Sequence, residues 1–390
     1  MTKLEQLIQD LCPNGVKMVK LGDAFKRLKG TPITAGTMKQ IADDAGDVTI
    51  VAGGKTIVKA FEKDIPNANI IRVPAVLVQS RGVIDFLYYD TPFTFKNEMW
   101  AYTTDSQISV KYLYYVLQND VEHFRNAAKG MGSLPQISLP VTENFEIPLP
   151  PLAVQSEIVR LLDKFTLYKS ELAAELAARC KQYEHYREKL FTFGDDVERK
   201  TLGEIGTFTR GRRFCRTDIV EDGQSCIHYG DIYTYYGLNA KTTKTHLPND
   251  FPVKLRYAEK GDVVIVGAGE NDMDIGVGVV WEGDDPVAVH DACYIFKHNI
   301  NPRYVSHYLR TINYHLQIKK YVNRGKICSI SAEGVAKAVI PIPSLEIQER
   351  IASILDRFDA LCNDIKIGLP AEIELRQKQY EHYRDKLLTF

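Results

Sequence analysis

Lys55 and Thr56 follow Gly53 and Gly54, the composition of a loop that wraps phosphate with backbone amides. Such a loop also needs a glycine at position 49, which is Thr49, so the pattern fails. Gly267-Ala268-Gly269 supplies two glycines of a dinucleotide-binding turn, but Asp272 stands where the third belongs, and a turn between strands explains it better. Gly223-Gln224-Ser225-Cys226-Ile227 is not a nucleophile elbow. A DNA methyltransferase would need Asn or Asp before a Pro-Pro pair and an aromatic residue after it. Here Pro150-Pro151 lies between Leu149 and Leu152. No paired carboxylates suggest a nuclease, and His185 and His382 read as surface groups of helices rather than general bases. The seven cysteines, at positions 12, 180, 215, 226, 293, 328 and 362, never fall in Cys-x-x-Cys spacing. Cys226 with His228 and Cys293 with His298 are metal half-sites without a second pair, so reduced thiols in a cytoplasm and no metal are expected. Catalysis is therefore not expected of this chain.

Binding chemistry remains. In the second half, Arg210, Arg212, Arg213 and Arg216 precede Tyr229, Tyr233, Tyr235 and Tyr236, and Lys319, Lys320, Arg324 and Lys326 follow. In the first half the corresponding candidates are Lys26, Arg27, Lys29, Lys55, Arg81 and Lys129, then Gly132-Ser133 with Gln136. Basic and aromatic residues interleaved around glycines are what a surface needs to grip phosphates and read base edges. The formal net charge of −1 provides no global field for a polyanion, so these cations must be gathered on one surface and offset elsewhere.

The elements that would position them are duplicated. Ile147-Pro148-Leu149-Pro150-Pro151-Leu152, with Gln155, Ile158, Leu162, Asp163 and Phe165, returns as Ile340-Pro341-Ile342-Pro343-Ser344-Leu345, with Gln348, Ile351, Leu355, Asp356 and Phe358. The tail Lys181-Gln182-Tyr183-Glu184-His185-Tyr186-Arg187 returns as Lys378-Gln379-Tyr380-Glu381-His382-Tyr383-Arg384. Val16 to Gly22 matches Val197 to Gly203, and Ile108 and Tyr112 match Ile300 and Tyr304, with little identity between these anchors. Such a pattern divides the chain into a globular domain (1–150), a helix (151–194), a second globular domain (195–343) and a second helix (344–390).

Apolar residues at Ile158, Leu162, Phe165, Leu172, Leu176, Tyr183, Tyr186, Leu190 and Phe193 make a heptad seam, starting after Pro151. The second seam, with Ser344 as its cap, runs through Ile351, Leu355, Phe358, Cys362 and Ile365 and resumes at Ile373, Tyr380, Tyr383 and Leu387. Gly368-Leu369-Pro370 interrupts it and predicts a kink or break. Two seams in one chain most simply bury each other, with an intermolecular coil as the alternative. A helix of about 40 residues spans roughly 60 Å. The repeated polar residues Glu184, His185 and Arg187, and Glu381, His382 and Arg384, suggest two equivalent docking surfaces, although a solvated face after duplication explains them too.

In the globular parts, β-type runs fall at Thr49–Val51, Ala75–Gln79 and Phe86–Tyr89, then at Cys226–Tyr229, Asp262–Val266 and Val277–Trp281. One helix is expected in each, over Val110–Asn119 and Pro302–Val322. The fold class is α+β: two β-rich mixed α/β domains joined by two long helices that form an intramolecular antiparallel coiled coil, with a pseudo-two-fold repeat. No run of about 18 apolar residues predicts a membrane span, and a cytoplasmic location is expected.

The chain resembles type I restriction-modification specificity subunits along essentially its whole length. The resemblance is carried by Leu4-Glu5-Gln6-Leu7-Ile8 before Pro13-Asn14-Gly15, Leu202-Gly203-Glu204, Ile227-His228-Tyr229-Gly230-Asp231-Ile232-Tyr233, and the twice-used proline joint with Gln155 and Gln348. It implies two target-recognition domains, each reading half of a split, asymmetric site in double-stranded DNA. It further implies two modification subunits using S-adenosylmethionine and restriction subunits using ATP and Mg, so that no cofactor belongs to this chain. A protein-binding adaptor without nucleic-acid specificity is the alternative, as is a specificity module of a related restriction system acting in trans.

Overall fold

The computed structural model of the chain describes residues 2–54, 56–128, 134–270, 274–364 and 366–390. Two compact units emerge, Met1–Glu171 with Glu374–Phe390 and Leu172–Ile373. The same ribbon closes each. In the first, Met18–Lys20 pairs antiparallel with Glu146–Pro148, placing Val19 opposite Ile147. In the second, Arg199–Thr201 pairs with Val339–Pro341, placing Lys200 opposite Ile340. A two-stranded ribbon tolerates proline because its outer side asks for no amide donor, which is why the joint can be proline-rich.

Beyond the ribbon, the first unit has an antiparallel sheet in the order Lys26–Lys29, Trp100–Thr103, Ala75–Gln79, Asp85–Tyr89. The second unit repeats that order with Gly206–Arg210, Cys293–His298, Val263–Val266 and Gly278–Trp281, extended by Asn239–Ala240. A smaller sheet accompanies each. Val48–Val51 runs parallel to Phe93–Phe95, and Gln224–Ile227 runs parallel to Val287–Val289. The central strands Ala75–Gln79 and Val263–Val266 are buried at every position, so they read as continuous apolar runs rather than alternating ones. Helix Gln107–Asn119 packs on the first large sheet and Pro302–Tyr308 on the second.

Two local expectations are corrected. The strand expected over Cys226–Tyr229 stops at Ile227, because His228 Nδ1 accepts the Gly230 amide at 3.3 Å and starts the helix Tyr229–Thr234. The single helix expected from Pro302 is broken into Pro302–Tyr308, Ile312–Ile318 and the turn Lys319–Tyr321. Thr311 makes the break by capping the second helix through the Tyr314 amide.

Leu152–Leu190 is one helix of 39 residues. The Pro151 carbonyl accepts the Gln155 amide at 3.2 Å, so Pro151 is the cap just before the first turn. Within the first unit, Ile158 and Leu162 are fully buried, Phe165 stacks on Tyr383 at 5.3 Å, and Lys169 donates to Gln377 at 2.7 Å. Within the second, Tyr183 and Tyr186 stack on Phe358 at 6.1 and 5.5 Å. Partner numbers fall as helix numbers rise, so the pairing is antiparallel and intramolecular. The C-terminal repeat is two helices, Leu345–Asn363 and Leu369–Leu388, interrupted where Gly368 and Pro370 predicted. Ser344 caps the first through the Ile347 amide at 3.4 Å, while Ile365 of the expected seam lies outside the described residues. Among the described residues no helix is long and apolar enough to cross a membrane.

Candidate nucleic-acid interface

The repeated residues outside the seam anchor each globular part to its helix. Gln155 Nε2 donates to the Pro150 carbonyl at 2.7 Å, and Gln348 Nε2 to the Pro343 carbonyl at 2.8 Å. The matched Tyr112 and Tyr304 hydroxyls donate to the Pro148 and Pro341 carbonyls, each at 3.0 Å. Asp163 accepts from Tyr115 at 2.5 Å and meets Lys111 at 3.1 Å. Its counterpart Asp356 meets His307 at 2.8 Å and Arg303 at 2.7 Å. Burial alone would raise the Asp356 carboxyl, but the His307 and Arg303 contacts outweigh it and hold the group below its ordinary range.

At one end of the first unit, three segments converge. Arg81 and Gln136 face each other across an antiparallel bridge, with the Gly82 amide bonded to Pro135 O at 2.8 Å and the Ile137 amide to Ser80 O at 2.9 Å. Gln79 Nε2 donates to Gly54 O at 2.9 Å, and the Gly54 amide reaches Arg81 O at 3.3 Å. Gly54 and Gly82 have φ of 77° and 83°, which favours glycine, and a Cβ on Gly82 would lie 3.4 Å from the Gly54 nitrogen. Ser80 Oγ donates to Glu98 O at 3.0 Å, joining that loop to the same end. Lys26, Arg27 and Lys29 are exposed along the edge strand, where Arg27 faces Glu143 at 3.5 Å. Lys55, Lys129, Gly132 and Ser133 lie outside the described residues.

The second unit builds its corresponding end on the same backbone. Ala268–Gly269 pairs with Cys328–Ser329, and the Ile330 amide reaches Gly267 O at 2.8 Å, as Ile137 reaches Ser80. The hairpin continues through Asn323–Arg324 and exposes Arg324 and Lys326. The Gly267 amide bonds Ala292 O at 2.7 Å, while Arg210 Nε donates to Asp291 O at 2.7 Å. Arg212 and Arg213 are exposed just beyond. Arg216, Tyr229, Asp231, Tyr233, Lys244 and Glu270 line a depression of about 550 Å³.

Beneath that depression the rings of Phe214, His228, Tyr229 and His290 form one cluster, with His228 and His290 centroids 4.7 Å apart. His228 Nδ1 accepts the Gly230 amide and His290 Nδ1 accepts the Ala292 amide at 3.0 Å, roles open only to neutral rings. Burial, with His290 and Arg216 adding repulsion, pushes His228 down to about 4, and burial likewise lowers His290.

Not every candidate reaches this surface. Tyr236 is a core residue at 8% exposure, its hydroxyl accepting the Lys244 amide at 2.9 Å, which corrects its assignment as a contact. Tyr235 is exposed and has Lys244 5.3 Å from its ring centroid. Lys320 lies over the Tyr321 ring at 5.0 Å. Lys319 lines a cavity of about 570 Å³ with Arg187, Ile312 and Leu316, whose rim Arg324 also reaches. Sequence reading missed Arg256, whose guanidinium donates to Arg210 O at 2.6 Å, and Lys244. Both are distant in sequence from the other candidates and arrive through strands of the smaller sheet. Of the repeated tail, Glu184, His185, Glu381 and His382 are exposed. Arg187 and Arg384 are half-buried over Tyr183 and Tyr380, at 5.1 and 5.8 Å; Arg384 Nε donates to Asn119 at 2.8 Å, whereas the buried Arg187 Nε has no partner among the described residues.

The model described as Type I restriction modification DNA specificity domain matches residues 13–182 and again 194–375. The Escherichia coli type I restriction enzyme EcoR124I/EcoR124II specificity subunit is 30% identical over 371 residues, covering 89% of this chain and 88% of that protein. A type I restriction enzyme specificity subunit of Haemophilus influenzae is 32% identical over 309 residues, covering 76% and 77%. The crystal structure of a type I restriction-modification S subunit from M. genitalium has the same fold, with a TM-score of 0.60 over 97% of both chains at 17% identity.

Proposed function

The chain belongs to the family of type I restriction-modification DNA specificity proteins, and from that premise we propose that each unit reads one half of a bipartite, asymmetric site in double-stranded DNA. One observation carries the reading: the two units present the same backbone at one end but furnish it with different polar side chains, Arg81 and Gln136 in one and Arg210, Arg212, Arg216, Tyr229 and Tyr233 in the other. Cations there hold phosphates, while the side chains that reach into the major groove read base edges. Methyl transfer, translocation and cleavage are left to partner subunits, and S-adenosylmethionine, ATP and Mg belong to those partners. The exposed Glu184 and His185, repeated as Glu381 and His382, offer equivalent docking groups to two modification subunits, which restriction subunits then join.

The test is to map methylated adenines in a genome with and without this gene. A bipartite motif that disappears with the gene supports the reading, and an unchanged map defeats it. Reversing Arg212 and Arg213 to Glu abolishes recognition of one half-site while the complex still assembles. Loss of assembly instead would remove these residues from the interface. DNA binding by the complex falls steeply with salt, as counterion release requires and a protein-only adaptor would not show.

A further inference from the structure

Arg81 and Gln136 occupy one of two structurally equivalent positions. The bonds from Gly82 to Pro135 and from Ile137 to Ser80 flank the pair, making it a non-hydrogen-bonded antiparallel pair. In that geometry the Cα atoms are about 4.5 Å apart and the two side chains stand side by side on one face. Both residues are exposed, and among the described residues neither side chain has a hydrogen-bond or ion-pair partner. Gly53, Gly54 and Gly82 carry no side chains, and a Cβ placed on Gly54 would meet nothing within 4 Å.

In the second unit the same two positions, set by the same backbone bonds, are Ala268 and Ser329. Neither carries the two hydrogen-bonding groups with which arginine and glutamine pair a base edge. A pair that is long, polar and unpartnered in one unit and truncated in the other does not maintain the fold, since the fold forms with either. Arginine offers two donors matching the guanine O6 and N7 acceptors, and glutamine offers a donor and an acceptor matching adenine N7 and N6. Their separation approximates one base step of about 3.4 Å.

We infer that Arg81 and Gln136 are specificity-determining residues of the first unit, reading a guanine and an adenine in neighbouring base pairs of its half-site. The inference rests on the proposed function.

The experiment uses the full chain assembled with its modification subunits, and duplexes carrying the mapped motif altered one pair at a time. Arg81→Ala loses about 5- to 150-fold discrimination at a G·C pair, and Gln136→Ala loses as much at an adjoining A·T pair. The other half-site keeps full discrimination, and the unfolding midpoint and assembly are unchanged. Arg81→Gln separates base reading from phosphate contact, because its donor and acceptor match adenine rather than guanine and it carries no charge. It shifts preference at that pair from G·C toward A·T if the guanine is read and weakens every duplex alike if only a phosphate is held. Uniform weakening on every duplex, a loss in the other half-site, or full discrimination in both alanine variants would overturn the assignment. A methylation motif indifferent to the chain is a different result, defeating the proposed function itself.

Discussion

At the scale of residues, the repeat kept more than its hydrophobic seam. Asp163 and Asp356, which sequence alone makes two matched polar positions, each take a cation and a ring-bearing donor from the helix on the sheet. The donors differ, Lys111 and Tyr115 against Arg303 and His307, so the acceptor was legible as a repeat and its partners were not. The histidines beneath the second reading surface yield a pH prediction. His228 is held at about 4 against an ordinary 6.5, chiefly by burial. Between those values the unfolded chain takes up a proton that the folded chain refuses, so stability is complete above pH about 6.5 and falls as pH drops toward 4. Urea midpoints measured across that window should decline for the natural chain. His228→Asn keeps a helix-capping acceptor and removes the titration, so its decline should be shallower, with neutral-pH stability within about 1 kcal/mol. His298, also pushed down to about 4 by burial, and His290 and His307, both lowered chiefly by burial, keep the remaining slope. Parallel curves for the two proteins would mean that His228 titrates normally.

At the scale of elements, what sequence revealed was what neighbouring residues decide. The seam, the Ser344 cap and the break at Gly368-Leu369-Pro370 depend on residues a few positions apart, and each is where spacing placed it. Ala75–Gln79 was found as a strand because its burial is continuous and its length short. Tyr229–Thr234 was missed because a buried histidine ring, rather than a serine or aspartate, provides its cap. The reading surface was only partly legible for a related reason: Arg81 and Gln136 are brought together by a bridge that no local pattern announces. The helix anchors are open to a direct test. Asp356→Ala leaves the fully buried His307 Nε2 without its acceptor, while Arg303 keeps Glu282 at 2.7 Å, and should cost about 1.5–3 kcal/mol in urea unfolding, the range for hydrogen bonds to charged groups. Asp163→Ala should cost less, since Lys111 beside it is part-exposed and regains water. Equal losses below about 0.5 kcal/mol would show the helices held by their apolar contacts alone, as expected of surface pairs.

At the scale of the whole molecule, the duplication makes the globular parts interchangeable in principle. The closing ribbons share register, with Met18 opposite Pro148 as Arg199 is opposite Pro341, and the next residues, Leu21 and Leu202, are both fully buried. The anchors above each ribbon match atom for atom at Tyr112 and Tyr304, and at Gln155 and Gln348. A chimera in which residues 18–148 are replaced by residues 199–341 therefore meets the preceding and following chain through the same bonds. The weak point is the helix anchor, where Arg303 and His307 would face Asp163 in place of Lys111 and Tyr115; both sets donate to a carboxylate, so the contact survives. If each unit reads its own half-site, the chimera carries one reading surface twice, and its methylation motif must become two copies of the second half-site in place of two unlike halves. Mapping methylated adenines in cells that carry the chimera with its partner subunits distinguishes the cases. A motif retaining the first half-site would show that recognition resides in the helices or in the partners, since the residues exchanged would then contribute nothing to what is read.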